Sequence, residues 1–326
     1  MVVKVAVIGL GNMGKHHARN YFEIPNVKLV SVCDLNNTLA TTTAKKFNCK
    51  PYNNYLEMLQ QEDIHAVSIA VPTKFHAQVA IDCMKQGIDV LVEKPIAPTV
   101  QEAEQMINVA KEQGAILQVG HIERFNPAVQ KLKGLINLGK LGEVTSIIAR
   151  RVGAVPIQIR DMNVIIDLAV HDIDIMNYLY DATPTAIGGN MGKALIEKRE
   201  DYADLFLRYG NKSAYIQVNW ITPIKIRSLT VTGSKGYAEL NYISQELTIY
   251  ESHFTSEGKD EFGDHIVKFG LADKTLVGIE KEEPLKLELE HFIECVKTRK
   301  QPLASGKVGL DSLKICLAFL QKNKRE

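Results

Sequence analysis

The chain opens on VVKVAVIG, a run dense in β-branched residues that predicts a buried strand. Gly9-Leu10-Gly11-Asn12-Met13-Gly14 follows, then a helical pattern through Tyr21, then a second apolar run from Val27 to Cys33 that ends on Asp34. The same alternation continues. Thr38 to Phe47 predicts a short polar helix, and Ile64 to Val71 a buried strand broken by Pro72. From Phe75 to Gln86 a helix is expected, with Phe75, Val79, Ala80 and Met84 on one side and a stop at Gly87. Asp89 to Val92 is a further strand, with Glu93-Lys94-Pro95 at its end. Thr99 with Glu102 makes a capping box for a helix striped by Ala103, Met106, Ile107 and Ala110 and closed by Gly114. Ala115 to Val119 is the last strand of this series. Strands alternating with helices predict a parallel, doubly wound α/β sheet over residues 1–120.

The pattern then changes. Asn126-Pro127 opens a helix, Asn as N-cap and Pro in the first turn, that runs to the Gly139–Gly142 turn. Strand-like segments follow at 144–152, 204–209, 213–220, 228–232, 238–242 and 246–250, with Gly210-Asn211 and Gly233-Ser234-Lys235-Gly236 as turns. Residues 121–326 are thus expected to form an α+β domain on one large open, mostly antiparallel sheet. Residues 260–283 read as an irregular excursion. Two helices close the chain, one striped by Leu285, Leu289, Phe292, Ile293 and Val296, the other by Leu310, Leu313, Leu317 and Leu320. An open sheet of that size presents a broad face, and a second subunit covering it predicts a homodimer or homotetramer.

Composition adds bounds. The 326 residues are 45% hydrophobic and 24% charged, the balance of a soluble globular protein. A net charge of +1 gives no global field for nucleic acid or membranes. No run approaches the roughly 20 apolar residues of a membrane span. The strand begins at the N-terminus and leaves no room for a signal sequence. Cys33, Cys49, Cys83, Cys295 and Cys316 are scattered without a C-x-x-C pair, which reads as reduced thiols and a cytoplasmic protein. The nine histidines contain no H-E-x-x-H, and no metal is expected.

Candidate chemistry starts at the glycine turn. Gly9 lets the chain leave the strand, Gly11 presents no side chain to a pyrophosphate, and Gly14 lets the helix close onto the strand. Asn12 and Met13 lie at the helix start, whose free N–H groups and dipole favour an anion. Asp34, about 20 residues after Gly14, suits the hydroxyls of an adenine ribose. A carboxylate there repels a 2′-phosphate, and no Arg follows in Leu35-Asn36-Asn37, so NAD is expected over NADP. Ligands bind beyond the carboxyl ends of such strands. There lie Val71-Pro72-Thr73 with His76, Glu93-Lys94-Pro95, and Gly120-His121. Lys94 ends an apolar strand and is either a site residue or a surface lysine at a turn. A cis peptide is expected at Lys94-Pro95, because X-Pro bonds alone adopt cis at low cost.

In the second half, Asp167, His171, Asp174 and Tyr178 fall on one face if residues 165–180 are a single helix, with Ile165, Ala169, Ile173, Met176 and Tyr180 on another. An acid one turn from a His suits general-base catalysis. A solvated ion-pair face is the plain alternative, and a metal site needs a further ligand from elsewhere. Arg124, Glu123 and Asn126 sit at the change of pattern. Arg124 reads as a partner for an anionic substrate or as half of a surface pair, and Asn126 as a substrate contact or only a cap. Arg150, Arg151, Arg160, Lys225 and Arg227 are further cations. Lys225 and Arg227 share a strand face that is a ligand wall or an oligomer contact.

VAVIGLGNMG, Val71-Pro72-Thr73…His76, Glu93-Lys94-Pro95 and Asp167…His171 in DLAVHDID, in that order, resemble the Gfo/Idh/MocA oxidoreductase family over essentially the whole chain. The resemblance implies that Lys94 reaches the substrate hydroxyl beside the nicotinamide, and that His171 and Asp167 are the catalytic His and its neighbour. The glycines common before that His are replaced by Ile165-Ile166-Asp167-Leu168-Ala169-Val170. GHIERFNPAV is most similar to the branch of UDP-N-acetylglucosamine 3-dehydrogenases, which implies oxidation of the sugar C3 hydroxyl with hydride passing to NAD. Arg124 and Arg160 are then candidates for the diphosphate. The expected function is an NAD-dependent dehydrogenase acting on a UDP-sugar. Two alternatives stand beside it: a dehydrogenase or ketoreductase of a free polyol or other sugar, and a non-catalytic dinucleotide-binding regulator of the same fold. Lys94, Asp167 and His171 argue against the regulator. On the dehydrogenase reading, Lys94 and His171, from opposite halves, meet over the nicotinamide, either one as the base.

Overall fold

The structure is a computed structural model, and it describes residues 2–154, 162–252, 254–259, 261–263 and 265–323. Contacts divide the chain into two compact units, Met1–Phe125 with Glu282–Ile315, and Asn126–Lys281 with Cys316–Glu326.

In the first unit the expected alternation forms β1 (Val3–Ile8), α1 (Gly14–Glu23), β2 (Val27–Cys33), α2 (Asn37–Phe47), β3 (Lys50–Tyr52), α3 (Tyr55–Gln61), β4 (Ala66–Ile69), α4 (His76–Lys85), β5 (Asp89–Val92), α5 (Val100–Gln113) and β6 (Leu117–Val119). The strands pair in parallel in the order β3-β2-β1-β4-β5-β6. The order reverses between β1 and β4, and a sheet of this kind takes its ligand at the carboxyl ends around that point. Every residue of β4 and β5 is buried, as a strand covered on both faces requires. Thr99 caps α5 by accepting the Glu102 N–H at 3.2 Å, while the Glu102 carboxylate takes the Thr99 hydroxyl at 2.6 Å. Gly114 ends α5 at φ +63°. Phe75 departs from expectation: it stands in a short 3-10 turn before α4 and is 43% exposed.

The second unit is built from α6 (Pro127–Asn137), β7 (Val144–Ala154), α7 (Val170–Tyr180), β8 (Ala186–Gly192), β9 (Tyr202–Tyr209), β10 (Lys212–Asn219), β11 (Ile221–Gly233), β12 (Gly236–Asn241), β13 (Glu246–Glu251), β14 (Phe254–Lys259), β15 (His265–Phe269) and β16 (Asp273–Leu276). Eight of these strands form one sheet in the order β16-β13-β12-β11-β7-β10-β9-β8, antiparallel except where β7 meets β10. Burial alternates along β9 and β12, the mark of a sheet with one covered face. The stretch expected to be irregular is more ordered than that: β14 and β15 pair as a separate two-stranded sheet, and β16 adds to the edge of the large one.

Two helices complete the described chain, α8 (Pro284–Thr298) and α9 (Gly306–Asn323). The expected division at 120/121 put α8 with the second domain. Contacts put it with the first, because its stripe of Leu285, Leu289, Phe292 and Ile293 packs into one core with Val3, Val5, Val7, Tyr21, Leu29 and Val32. A stripe shows that a helix buries a face, not which sheet receives it. No helix among the described residues is long and apolar enough to cross a membrane.

Candidate functional site

The glycine turn of the first unit has the geometry its sequence implies. Gly9 adopts φ +89°, and a Cβ there would lie 2.6 Å from the Ala70 carbonyl oxygen. A Cβ on Gly14 would collide with the Gly9 carbonyl oxygen, so α1 closes directly onto the turn. Gly11 has nothing within 4 Å of a would-be Cβ and is exposed, as is Asn12. The N-cap of α1, Met13, contributes no side-chain cap, which leaves that helix end to an anion. Asp34 follows β2 and faces this turn: its Oδ2 accepts the Leu10 N–H at 2.7 Å and its Oδ1 the Asn36 N–H at 2.8 Å. A cavity of about 700 Å³ runs beside it, lined by Gly9, Gly11, Asp34, Tyr55, Pro72 and Phe75 among others. Tyr55 and Gln78 both donate to Asp82, at 2.7 and 2.8 Å, which fixes the Tyr55 ring in that wall. An open pyrophosphate turn, an oriented carboxylate and a cavity of this size fit a dinucleotide with its adenosine half over β2.

The neighbouring strand ends are joined by His76. Its Nδ1 lies 2.9 Å from the Pro95 carbonyl and its Nε2 2.9 Å from the Val71 carbonyl. Burial pushes its pKa down, against the pull of the two carbonyls. A neutral ring donates to only one of them. His76 is 1% exposed, so it braces the Val71-Pro72-Thr73 turn against the Glu93-Lys94-Pro95 turn rather than presenting a free ring. Thr73 and Lys94 are half-buried, and the Lys94-Pro95 bond is cis. Glu93 is a buried carboxylate under this turn. Its desolvation is outweighed by a hydrogen bond from His17 and the nearby Lys94, and its pKa falls below the usual range. Sequence reasoning missed His17, Ser68 and Tyr21, the groups that hold Glu93 in place. His17 follows another His in a helix, and nothing in its position marks it as buried. Arg124 is also buried and donates to the Leu303 carbonyl at 3.0 Å.

In the second unit the acid–His segment is not one regular helix. Ile165–Ala169 is a π-helical turn, with the Val170 N–H reaching the Ile165 carbonyl, and α7 continues from it. Asn163 starts the turn by accepting the Ile166 N–H at 3.0 Å. Asp167 is 7% exposed and His171 half-buried. The expected polar face is narrower than an exposed stripe: Asp172 and Asp174 are both buried. Asp172 takes Arg151 from β7 in a two-pronged pair, Nε to Oδ2 at 2.8 Å and Nη2 to Oδ1 at 3.0 Å. The Arg151 guanidinium also lies 5.0 Å over the Tyr242 ring. This pair pins α7 to the sheet, and it too escaped the sequence reading, which took Arg151 only as a loose cation. Asp201 gathers the N–H groups of Ala194, Leu195 and Ile196. Asn126 caps α6 by accepting the Ala128 N–H and donates to the Tyr242 carbonyl, both at 3.1 Å. Arg227 donates to the Val152 and Ile226 carbonyls. Arg160 lies outside the described residues.

Comparison with known proteins agrees along the chain. The family described as oxidoreductase family, NAD-binding Rossmann fold (Gfo/Idh/MocA) matches residues 3–121, and its C-terminal domain matches residues 129–239. UDP-N-acetylglucosamine 3-dehydrogenase from Acidithiobacillus ferrooxidans is 28% identical, over 98% of this chain and 99% of its own. The scyllo-inositol 2-dehydrogenase (NAD(+)) of Bacillus subtilis is also 28% identical, over 97% and 92%. A solved structure of the Acidithiobacillus protein superposes with a TM-score of 0.85 at 25% identity, covering 98% of this chain and 96% of that one.

Proposed function

The chain belongs to the Gfo/Idh/MocA oxidoreductase family and is an NAD-type sugar or polyol dehydrogenase, and from that premise we propose that its substrate is a UDP-linked hexosamine, UDP-N-acetylglucosamine, oxidised at the C3 hydroxyl. The supporting observation is the end-to-end match to a relative with that activity, 98% of one chain against 99% of the other. A free polyol is the second reading, favoured by the equal identity to the scyllo-inositol enzyme.

In this reading Gly9, Gly11, Asn12, Met13 and Gly14 hold the pyrophosphate and Asp34 the adenine ribose. Val71, Pro72, Thr73 and His76 with Glu93 and Lys94 shape the nicotinamide end. Bound NAD supplies the hydride acceptor. The Lys94 ammonium hydrogen-bonds the alcohol oxygen and stabilises its growing negative charge. Neutral His171 accepts the alcohol proton, and Asp167 orients the ring and balances the imidazolium. The charged part of the substrate is assigned to Arg124 and Arg160, with the Leu303 carbonyl competing for Arg124, and Asn126 is a further candidate contact. The test is a panel of UDP-sugars and free sugars, with NAD reduction followed by absorbance. Turnover of UDP-N-acetylglucosamine well above the free sugar supports the reading. Equal turnover of free and UDP-linked sugar, or turnover of inositols alone, overturns it.

A second copy of this chain is the proposed cover for the outer face of the large sheet. Ile148 and Tyr215 are 45% and 46% exposed there, beside Phe206. Arg150, Gln217 and Asp204 run across three adjacent strands as a linked row. A row with a cation at one end and a carboxylate at the other complements itself about a two-fold axis. The five cysteines form no disulfide with one another, which fits a reducing compartment, and this reading puts the protein in the cytoplasm.

A further inference from the structure

Two titratable groups of the first unit are buried: His17, fully buried on α1, which takes no part in the chemistry above, and Glu93, 9% exposed at the end of β5, which enters it only in shaping the nicotinamide end. They are joined. His17 Nε2 lies 2.9 Å from Glu93 Oε1, and its Nδ1 3.1 Å from Ser68 Oγ on β4. Ser68 Oγ is 2.8 Å from the Tyr21 hydroxyl. The second carboxylate oxygen, Glu93 Oε2, accepts the Lys94 backbone N–H at 3.2 Å. Gly120, after β6, closes over this oxygen, where a Cβ would stand 3.0 Å away.

The protons along this chain have an order. Glu93 is ionised, because hydrogen bonding and charge outweigh its burial. An ionised carboxylate only accepts, so the proton between the two groups belongs to His17 Nε2. Ser68 Oγ links the other ring nitrogen to the Tyr21 hydroxyl. Each polar atom of the row then has a hydrogen-bond partner, which a buried polar network requires if it is to fix one geometry.

We propose that His17 is a positioning residue for Lys94: by holding the Glu93 carboxylate it fixes the peptide that presents the Lys94 side chain at the end of β5. The effect on turnover rests on the reading of Lys94 given above; the effect on the Lys94 peptide does not. The same helix begins at the pyrophosphate turn, so one element sets both the phosphate end of the cofactor and the backbone of Lys94.

The test uses the whole chain with His17→Ala, His17→Asn and His17→Gln. Gln keeps an N–H near the position of Nε2; Asn keeps a polar group near Nδ1 and falls short of Glu93; Ala keeps neither. Amide exchange of the segment carrying Lys94 is read against segments from β2 and α5, and kcat is measured on the sugar that the wild type oxidises. Exchange at Lys94 is expected to rise about tenfold in the Ala and Asn variants with the reference segments unchanged, as local opening does, and to return in Gln. A misplacement of this kind is expected to lower kcat on the order of 10²-fold in Ala and Asn, with NAD affinity within about threefold of wild type and recovery in Gln. Where the Ala variant does not fold, the Asn variant, closer in bulk, carries the comparison. Unchanged exchange at Lys94, faster exchange throughout the unit, or a Gln variant as impaired as Ala overturns the proposal and leaves His17 a packing residue. A wild type that oxidises none of the sugars offered defeats the functional reading alone, and the exchange result still decides the role of His17.

Discussion

Asp34 and Leu10 are tied across the glycine turn: the Leu10 N–H donates to Asp34 Oδ2 at 2.7 Å. That bond and the Asn36 N–H on the other oxygen fix the direction of the carboxylate. Asp34→Ala is expected to weaken NAD binding and to narrow the preference over NADP, because the charge that repels a 2′-phosphate is gone. Titration of both cofactors by protein fluorescence checks this. A wild type that binds NADP more tightly than NAD would contradict it.

The Arg151–Asp172 pair makes a stability prediction. Both side chains are almost fully buried, and removing one partner leaves the other charge uncompensated. Arg151→Ala is expected to cost about 3–5 kcal/mol. An apolar double replacement, Arg151→Met with Asp172→Leu, is expected to recover most of that loss, since it strands no charge. Denaturant unfolding of the three proteins measures both values. A double variant no more stable than the single one would show that the pair itself, and not the orphaned charge, sets the cost.

How much of this was legible in the sequence depended on whether a side chain carried the signal. β1, the glycine turn, α1, β2 and Asp34 were readable because each position has its own steric demand. β7, β9, β10 and β12 were readable from alternation. β8, AIGGNMG, was not, since its glycines offer no alternating face, and β16 is exposed throughout. The π-helical turn before α7 leaves no compositional trace, so the regular helical period gave Asp172 and Asp174 no reason to be buried. The destination of α8 was hidden for a different reason: its apolar stripe fits either sheet. The strand-end residues of the first unit were found, but the buried His17, Ser68 and Tyr21 beneath them were not, because long-range polar contacts have no sequence period.

Asp201 gives a pH prediction. It is buried, and the N–H groups of Leu195, Ala194 and Ile196 outweigh its desolvation and lower its pKa. A folded pKa below the unfolded one means that the group contributes its full stability above the unfolded value, near 3.9, and loses it as the pH falls through the folded value. Asp201→Asn is therefore expected to be less stable than wild type at neutral pH and to converge with it as the pH falls below the unfolded value and through the folded one. Thermal unfolding across that range reads the difference. A gap that stays constant down to the lowest pH would mean that the carboxylate charge contributes nothing.

The outer sheet face predicts assembly. Tyr215→Glu places a charge between Ile148 on β7 and Phe206 on β9, and is expected to yield monomer at micromolar concentration while the wild type sediments as a dimer or tetramer. Surface substitutions of this kind usually leave the fold intact to within about 0.5 kcal/mol, so circular dichroism should not change. A monodisperse monomeric wild type would remove the premise.

The catalytic assignment is the most direct to test. Lys94 leaves β5 on a turn braced by His76 and Glu93, and His171 begins α7 after the turn that carries Asp167. Each is half-buried, held by its own unit and not lost in its core. Loss of a positioned acid–base group typically costs on the order of 10²–10⁴ in rate. His171→Ala and Lys94→Ala are each expected to lose kcat in that range while NAD still binds, because neither removes a group from the pyrophosphate turn or from Asp34. Asp167→Ala is expected to lose less, since an unoriented imidazole still accepts a proton. The pH dependence separates the two candidates for the base. With neutral His171 as the base, kcat/KM rises with pH through the His171 pKa, and that limb is lost in His171→Ala and kept in Lys94→Ala. If the limb survives in His171→Ala and vanishes in Lys94→Ala, Lys94 is the base and the two roles exchange. If His171→Ala keeps near-full kcat, the segment from Asp167 to Tyr178 is structural and the proton goes elsewhere.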